Sequence, residues 1–384
     1  MHTTARTSED LVGIVPHALG YTPERSLVAI IIATDSEGVS RCETTLRIDF
    51  DLETAAHIVR ESGQRISGLI TDACTPTGVF LVLYDEEYLG DDDLEIHRGL
   101  IRAAIDEIAL ALEGHRVDTL GAWWVSENRF GRIDDPTDAG APLEAAASSP
   151  CATELIAGGS NPVSGPTDLV VRPVSPEAWT EFRGADADDW LDPDASFDVL
   201  REAYPRLDAL RRSDDDIDRA VLDEIMSPSM VLAIDSILSR KWSRDALEMI
   251  LSFNHPDFAP AEVLRCRPGD LVVRARKHGS SPASALEIVG LSDRRPSPRD
   301  LRLATEFLER YLPWGHPLVR ANAYAVIAWF EWASGGSTMA EQYALAALTI
   351  DDDHVMAGLV LRAVEAGYLP QWLRAGRLGG GRMD

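Results

Sequence analysis

His17 and Ser26 are the side chains of the amino-terminal segment whose types could do nucleophilic chemistry together, imidazole as base and hydroxyl as nucleophile. Arg25 and Trp124 join them by position and chemistry rather than by motif. His17, Arg25, Ser26 and Trp124 are therefore the candidate lining of a small-molecule site. Ser26 stands at the amino end of an apolar run, whereas sites in open parallel sheets lie beyond the carboxyl ends of strands. The competing reading is structural: Ser26 and Thr22 hydrogen-bond the backbone of the corner around them.

Other chemistry is sparse. Asp91–Asp93, Asp214–Asp216 and Asp351–Asp353 offer clustered carboxylates of the kind that bind Mg²⁺ or Ca²⁺. Each run precedes a helical pattern, where carboxylates cap free N–H groups and suit the helix dipole, so no metal is expected. Cys42, Cys74, Cys151 and Cys266 are widely spaced, with neither a Cys-x-x-Cys motif nor a Cys/His cluster. No glycine-rich phosphate loop, His-Glu-x-x-His or Gly-x-Ser-x-Gly occurs, so no cofactor and no catalytic residue is assigned.

The element that must position His17 and Ser26 is Asp10–Ala33. Its first half is an apolar helix capped by Ser8 or Asp10 and ending at Gly20, with Pro16 set to break it or turn part of it into 3₁₀. Its second half, Leu27–Ala33, is an apolar run rich in β-branched residues, read as a strand buried on both faces. Gly20 suits the left-handed residue that ends a helix, and Pro23 stops the helix resuming. Beyond it the pattern predicts a strand over 41–49, a helix over 52–64, a strand over 78–84, a helix over 94–112 and a strand over 117–126. In that last strand Trp123 and Trp124 point to opposite faces.

Residues 127–167 read as a long surface loop with one short helix near 151–157, and 168–173 as a short returning strand. From residue 196 the spacing is helical throughout, with segments near 196–212, 215–226, 229–240, 243–252, 260–276, 282–290, 298–311, 317–334, 338–349 and 354–366. The pattern Trp329-x-x-Trp332-x-x-Gly335, followed by Ala340, Tyr343, Ala344, Ala347 and Leu348, resembles one tetratricopeptide-type hairpin. The expected architecture is an α/β domain over 1–195, with a mixed, largely parallel sheet covered by helices. An all-α domain over 196–375 and a disordered Gly/Arg-rich tail over 376–384 follow.

The bulk balance excludes several partners. A formal charge of −27 over 384 residues is wrong for nucleic acid or an anionic membrane surface, both of which need a basic face. No apolar run reaches membrane-spanning length and no apolar leader opens the chain, so a soluble, cytoplasmic protein is expected.

The stretch Asp10-Leu11, Val15-Pro16-His17-Ala18-Leu19-Gly20-Tyr21, Pro23 and Ser26-Leu27-Val28 resembles the opening of the actinobacterial DUF4192 family. The likeness continues at Trp123-Trp124-Val125-Ser126, Ser148-Ser149-Pro150-Cys151-Ala152, Ala325 to Trp332, Ala347-Leu348 and Ala366-Gly367-Tyr368-Leu369-Pro370. The family pattern carries a Cys- and Pro-rich segment after the tryptophan strand, whereas Glu127–Pro136 has no Cys here. The resemblance brings no catalytic residue with it. Two classes of function stay open. One is a non-enzymatic binding or regulatory protein that takes a protein or peptide partner on its helical domain. The other is an enzyme working between the sheet and the 127–167 loop.

Overall fold

The computed structural model describes residues 4–34, 38–73, 75–89, 94–135, 137–184, 190–213, 216–252 and 255–374. The chain divides into two compact units, residues 1–169 and 170–384.

The first unit begins with α1 (Ser8–Leu19). The Thr7 hydroxyl, rather than Ser8 or Asp10, caps it by accepting from Asp10 N–H at 3.2 Å. Pro16 sits inside α1 without breaking it, and Gly20, at φ 81°, closes it in the left-handed region where a side chain would be strained. β1 (Ser26–Thr34) follows. Leu27, Ala29 and Ile31 enter one apolar core, and Val28, Ile30 and Ile32 pack with a second. That division is what an uninterrupted apolar strand requires when both faces are covered.

Then come β2 (Ser40–Asp49), α2 (Leu52–Glu61) and α3 (Gln64–Ala73). The single helix expected over 52–64 is corrected to two. Ser62 leaves the helix at φ 72°, and Gly63 lets the α4 backbone pass, since a Cβ there would lie 2.6 Å from Glu107 O. β3 (Gly78–Tyr84), α4 (Leu94–Gly114) and β4 (Asp118–Ser126) agree with the apolar pattern. Within the expected 127–167 loop the short helix near 151–157 forms as α6 (Pro150–Ala157), and β5 (Arg129–Arg132), β6 (Ala141–Pro142) and α5 (Leu143–Ala147) form beside it where loop was expected. These last three are short and built from Gly, Ala and Pro, so their sequence has no readable period. No strand forms at 168–173; Pro166–Leu169 is a single 3₁₀ turn.

The strand order is β2-β1-β3-β4-β5-β6. Only β3 and β4 run parallel; the other four pairings are antiparallel, which corrects the expectation of a largely parallel sheet. The cause is topological. The hairpin from β1 reverses direction in β2, and the α2–α3 connection carries the chain across β1 to its other edge. β3 thus keeps the direction of β2 and opposes β1. One face of the sheet packs on α2, α3 and α4 through Ala55, Ile58, Ile70, Ile105 and Trp124. The other packs on α1 and α5 through Leu11, Val15, Ala146 and Trp123.

The second unit is helical among the described residues. Its elements are α7 (Pro176–Arg183), α8 (Pro193–Arg212), α9 (Arg219–Ile225), α10 (Pro228–Leu238), α11 (Lys241–Ser252), α12 (Pro260–Val263), α13 (Asp270–Gly279) and α14 (Pro282–Ile288). α15 (Pro298–Tyr311), α16 (Arg320–Ser334), α17 (Ser337–Ile350), α18 (Val355–Glu365) and α19 (Gln371–Arg374) complete it. One apolar core runs through it, with Phe197, Phe307, Trp329, Tyr343 and Trp372 among its large members. Residues 170–183 belong here: Trp179 Nε1 donates to Trp314 O at 2.8 Å, and Arg183 pairs with Asp235. The helix expected over 260–276 is split at Pro268-Gly269, Pro being unable to donate and Gly269 standing at φ 80°.

The Asp runs do not cap as expected where they are described. His354, not Asp351–Asp353, caps α18, accepting from Ala357 N–H at 3.2 Å, and Asp218 caps α9. Asp91–Asp93, Asp214, Asp215, Cys74 and the 376–384 tail lie outside the described residues. Among those described, no helix is long and apolar enough to cross a membrane.

A carboxylate on α16 makes the stability of this unit pH-dependent. Burial, and then the charge of Glu309, push Glu331 up from 4.5 to about 7. Between those values the folded chain holds a proton that the unfolded chain has lost, so this group's contribution falls as the pH rises through that window. Glu331→Gln is expected to gain on the wild type between pH 5 and pH 8 in urea denaturation. Parallel stability curves would remove Glu331 as the cause.

Candidate functional site

A cleft of about 280 Å³ lies at the carboxyl ends of β2 and β3, the end of a strand at which open α/β sheets hold ligands. Asp85 is the first residue past β3. Its N–H donates to Val125 O at 2.9 Å, which ties it to the neighbouring strand. Its Oδ1 accepts from Glu87 N–H at 3.0 Å, and its Oδ2 lies 2.6 Å from His97 Nε2. His97 comes from the first turn of α4, the helix that crosses from β3 to β4, so the dyad is assembled by one crossover. The two side chains are only 12% and 19% exposed, so water does little to weaken the contact. The short contact ties the imidazole to the carboxylate and fixes the ring's orientation.

The opposite wall comes from the residues flanking β1 and β2. Arg25 precedes β1 at φ 44°, a left-handed conformation rare for a side chain of its size, and Phe50 N–H holds it by donating to Arg25 O at 2.8 Å. Such strain costs about 1–3 kcal/mol and persists where surrounding structure imposes it. Asp51 follows β2 and caps α2, accepting from Thr54 N–H at 2.7 Å. That bond, with a smaller contribution from Arg25, holds its carboxyl below the usual range. Glu53, Glu86 and Glu87 stand exposed around the rim. Five carboxylates against Arg25 and His97 make this an anionic cleft.

The four residues singled out from sequence do not converge. Arg25 lines the cleft. His17 Nδ1 lies 2.9 Å from Ser160 Oγ, and burial lowers its pKa. Ser26 is buried and its hydroxyl is already used, donating to Glu24 O at 2.5 Å and accepting from Arg47 Nε at 2.8 Å. That is the structural role for Ser26, not a nucleophile's. Trp124 is 2% exposed in the sheet core and stacks on Tyr88 at 5.1 Å. Asp85 and His97 were missed. Their only signal is an Asp directly after an apolar strand and a His in the next helix's first turn, twelve residues on.

A larger open hollow of about 810 Å³ borders Arg206, Ala209, Ile217 and Arg219 in the second unit, next to residues outside the described set, and brings no catalytic side chains together. Among the described residues, one group of three or more potential metal ligands comes together: His255, His278 and Glu287, also in the second unit. No curated protein and no solved structure matches the chain. A family described as a domain of unknown function, DUF4192, matches residues 9–371, and the chain, with its six-stranded sheet followed by a helical unit, belongs to that family.

Proposed function

We propose that this is a non-enzymatic binding protein whose first unit takes a small amine-bearing cation in the cleft at the carboxyl ends of β2 and β3. The observation that carries the reading is the Asp85–His97 contact at 2.6 Å. With Nε2 taken by Asp85, Nδ1 is the His97 nitrogen assigned as acceptor at a small cleft whose other charges are mostly carboxylates. An amine donates to that nitrogen while its charge is offset by Glu86 and Glu87. The described lining offers no Ser, Thr, Cys or Lys nucleophile.

Partner binding through the second unit has less behind it. The tetratricopeptide-like pairing of α16 with α17 would place a peptide there. However, the exposed Leu345, Ile350, Val355 and Leu359 are apolar side chains of a kind found on any surface. The cleft therefore carries the proposal.

Calorimetric titration with putrescine, cadaverine and ethanolamine tests it. At least one is expected to bind one per chain, and His97→Ala to weaken it by about tenfold or more, the worth of a hydrogen bond to a charged group. No binding by the wild-type chain, or binding indifferent to His97, overturns the reading.

A further inference from the structure

Three segments of the second unit that are distant in sequence bring metal-binding side chains to one point. His255 precedes the 3₁₀ turn Pro256–Phe258, His278 lies in the last turn of α13, and Glu287 lies on α14. One ligand atom from each lies within 4.8 Å of the other two. His255 Nε2 is 3.7 Å from Glu287 Oε2, and the two imidazole rings meet edge-on with centroids 4.8 Å apart.

The polar bookkeeping here is unfinished. His278 is 3% exposed and Glu287 is 8% exposed, yet His278 Nε2 and Glu287 Oε2 are both buried without a hydrogen-bond partner. Buried polar atoms are paired in nearly all folded proteins, and an orphan calls for a ligand, an ion or water. Here the two orphans belong to residues of one cluster, and His255 Nε2, 3.7 Å from Glu287 Oε2, completes it. Phe258 covers the rings, at 5.7 Å from His255 and 5.3 Å from His278, which keeps one side of the cluster apolar.

The geometry points to a binding site for one divalent transition-metal ion of the zinc class, held by His255 Nε2, His278 Nε2 and Glu287 Oε2. Two imidazoles and a carboxylate are the donors that Zn²⁺ and its neighbours take, whereas Mg²⁺ and Ca²⁺ take oxygen donors. Tetrahedral ligands at about 2.0–2.1 Å from an ion stand roughly 3.3 Å apart. Closing the cluster from its present spacing needs side-chain rotation, which the Glu287 chain readily supplies. Both histidines are available as neutral ligands near pH 7, because burial lowers both and carries His278 to about 4. His255 makes one adjustment. Its Nδ1 now accepts from Asp257 N–H at 3.1 Å, and an ion on Nε2 shifts the ring hydrogen to Nδ1, so that one bond is given up. Three protein ligands leave a fourth position for water or an exogenous donor, on the side where His255 remains 16% exposed.

This site is independent of the cleft in the first unit. The test uses the full, untagged chain, stripped with chelator and titrated with Co²⁺, whose visible absorption reports coordination number, and with Zn²⁺ in competition with a chromophoric chelator. One ion per chain with a tetrahedral or five-coordinate Co²⁺ spectrum is expected. Glu287→Gln and His255→Gln are expected to weaken Zn²⁺ by more than the roughly 100-fold that second-shell changes cost. Circular dichroism on both variants separates ligand loss from misfolding, and His278→Ala is the confirming third. No ion bound by the wild-type chain overturns the assignment. So does an ion whose affinity is unchanged in two folded variants, since exposed histidines elsewhere would then be holding it.

Discussion

Replacing Asp235 by alanine is expected to cost the second unit about 3–5 kcal/mol, the range for breaking a buried ion pair by removing one partner. Asp235 Oδ2 accepts from Arg183 Nη1 at 2.5 Å, with side chains 1% and 3% exposed. Asp235 Oδ1 accepts from Tyr311 OH at 2.5 Å and from His316 N–H at 2.8 Å. One carboxylate therefore joins α7, α10, α15 and the turn before α16. Without it Arg183 Nη1 loses a carboxylate partner at 2.5 Å while its side chain is only 3% exposed. Tyr311 loses its acceptor too. Burial, and then the Asp235 charge, hold that phenol well above its usual pKa, so it stays a donor. Asp235→Asn separates the terms, since it keeps an acceptor for Tyr311 and His316 while removing the charge facing Arg183. The internal standard is Glu224→Ala. It breaks the Arg206–Glu224 pair, whose side chains are 45% and 70% exposed, and is expected to cost no more than about 1 kcal/mol. Urea denaturation followed by circular dichroism reads both. Equal losses for Asp235→Ala and Glu224→Ala would remove the buried pair from the account of this unit's stability.

Trp124→Ala is expected to destabilise the first unit by a similar amount, about 3–5 kcal/mol, through lost burial and the cavity left behind. The indole lies in a slot opened by two glycines. A Cβ on Gly131 would lie 2.6 Å from Trp124 Cζ2, and one on Gly140 would lie 2.6 Å from Trp124 Cη2. Backbone lines that slot, so it cannot collapse onto the space the ring vacates. On the other side Tyr88 stacks at 5.1 Å and loses its aromatic partner. The same variant distinguishes core from ligand wall, the two roles a tryptophan on this strand could have. A core residue lowers the urea midpoint and leaves amine affinity at the cleft unchanged in the remaining folded protein. A loss below about 1 kcal/mol accompanied by lost binding would assign Trp124 to a site instead.

The contrast between Trp124 and His97 shows where the sequence was legible. Leu27–Ala33 and Gly78–Tyr84 read as strands buried on both faces because every position is apolar, and both are central strands. The segment 298–311 read as a helix and is α15, with Ser297 capping it. Trp123 and Trp124 were expected on opposite faces and lie there. Failure came where a long-range contact outweighed a local preference. Gly63 interrupts a good helical pattern because another helix's backbone needs its missing Cβ. The 127–167 segment looked like a loop with one short helix because Ala, Gly and Pro carry no hydrophobic period, yet it adds two strands and a second helix to the unit. At the cleft, Arg25 was found from its place beside the opening strand. Its acidic and basic counterparts, Asp85 and His97, had nothing in their own neighbourhoods to mark them.

By itself the sequence determined the central strands, the long helices and which of their faces are apolar. Those properties depend on side-chain periodicity and capping over a few residues, and the family resemblance of the whole chain travels with them. Strand direction and the meeting of distant side chains were decided only by the tertiary structure. The crossover from β2 past β1 makes β3 antiparallel to β1, and no local preference encodes which edge a strand joins. The same holds for His255, His278 and Glu287, spaced 23 and 9 residues apart with no repeating motif. Tertiary packing of the Pro256–Phe258 turn, α13 and α14 brings them within 4.8 Å.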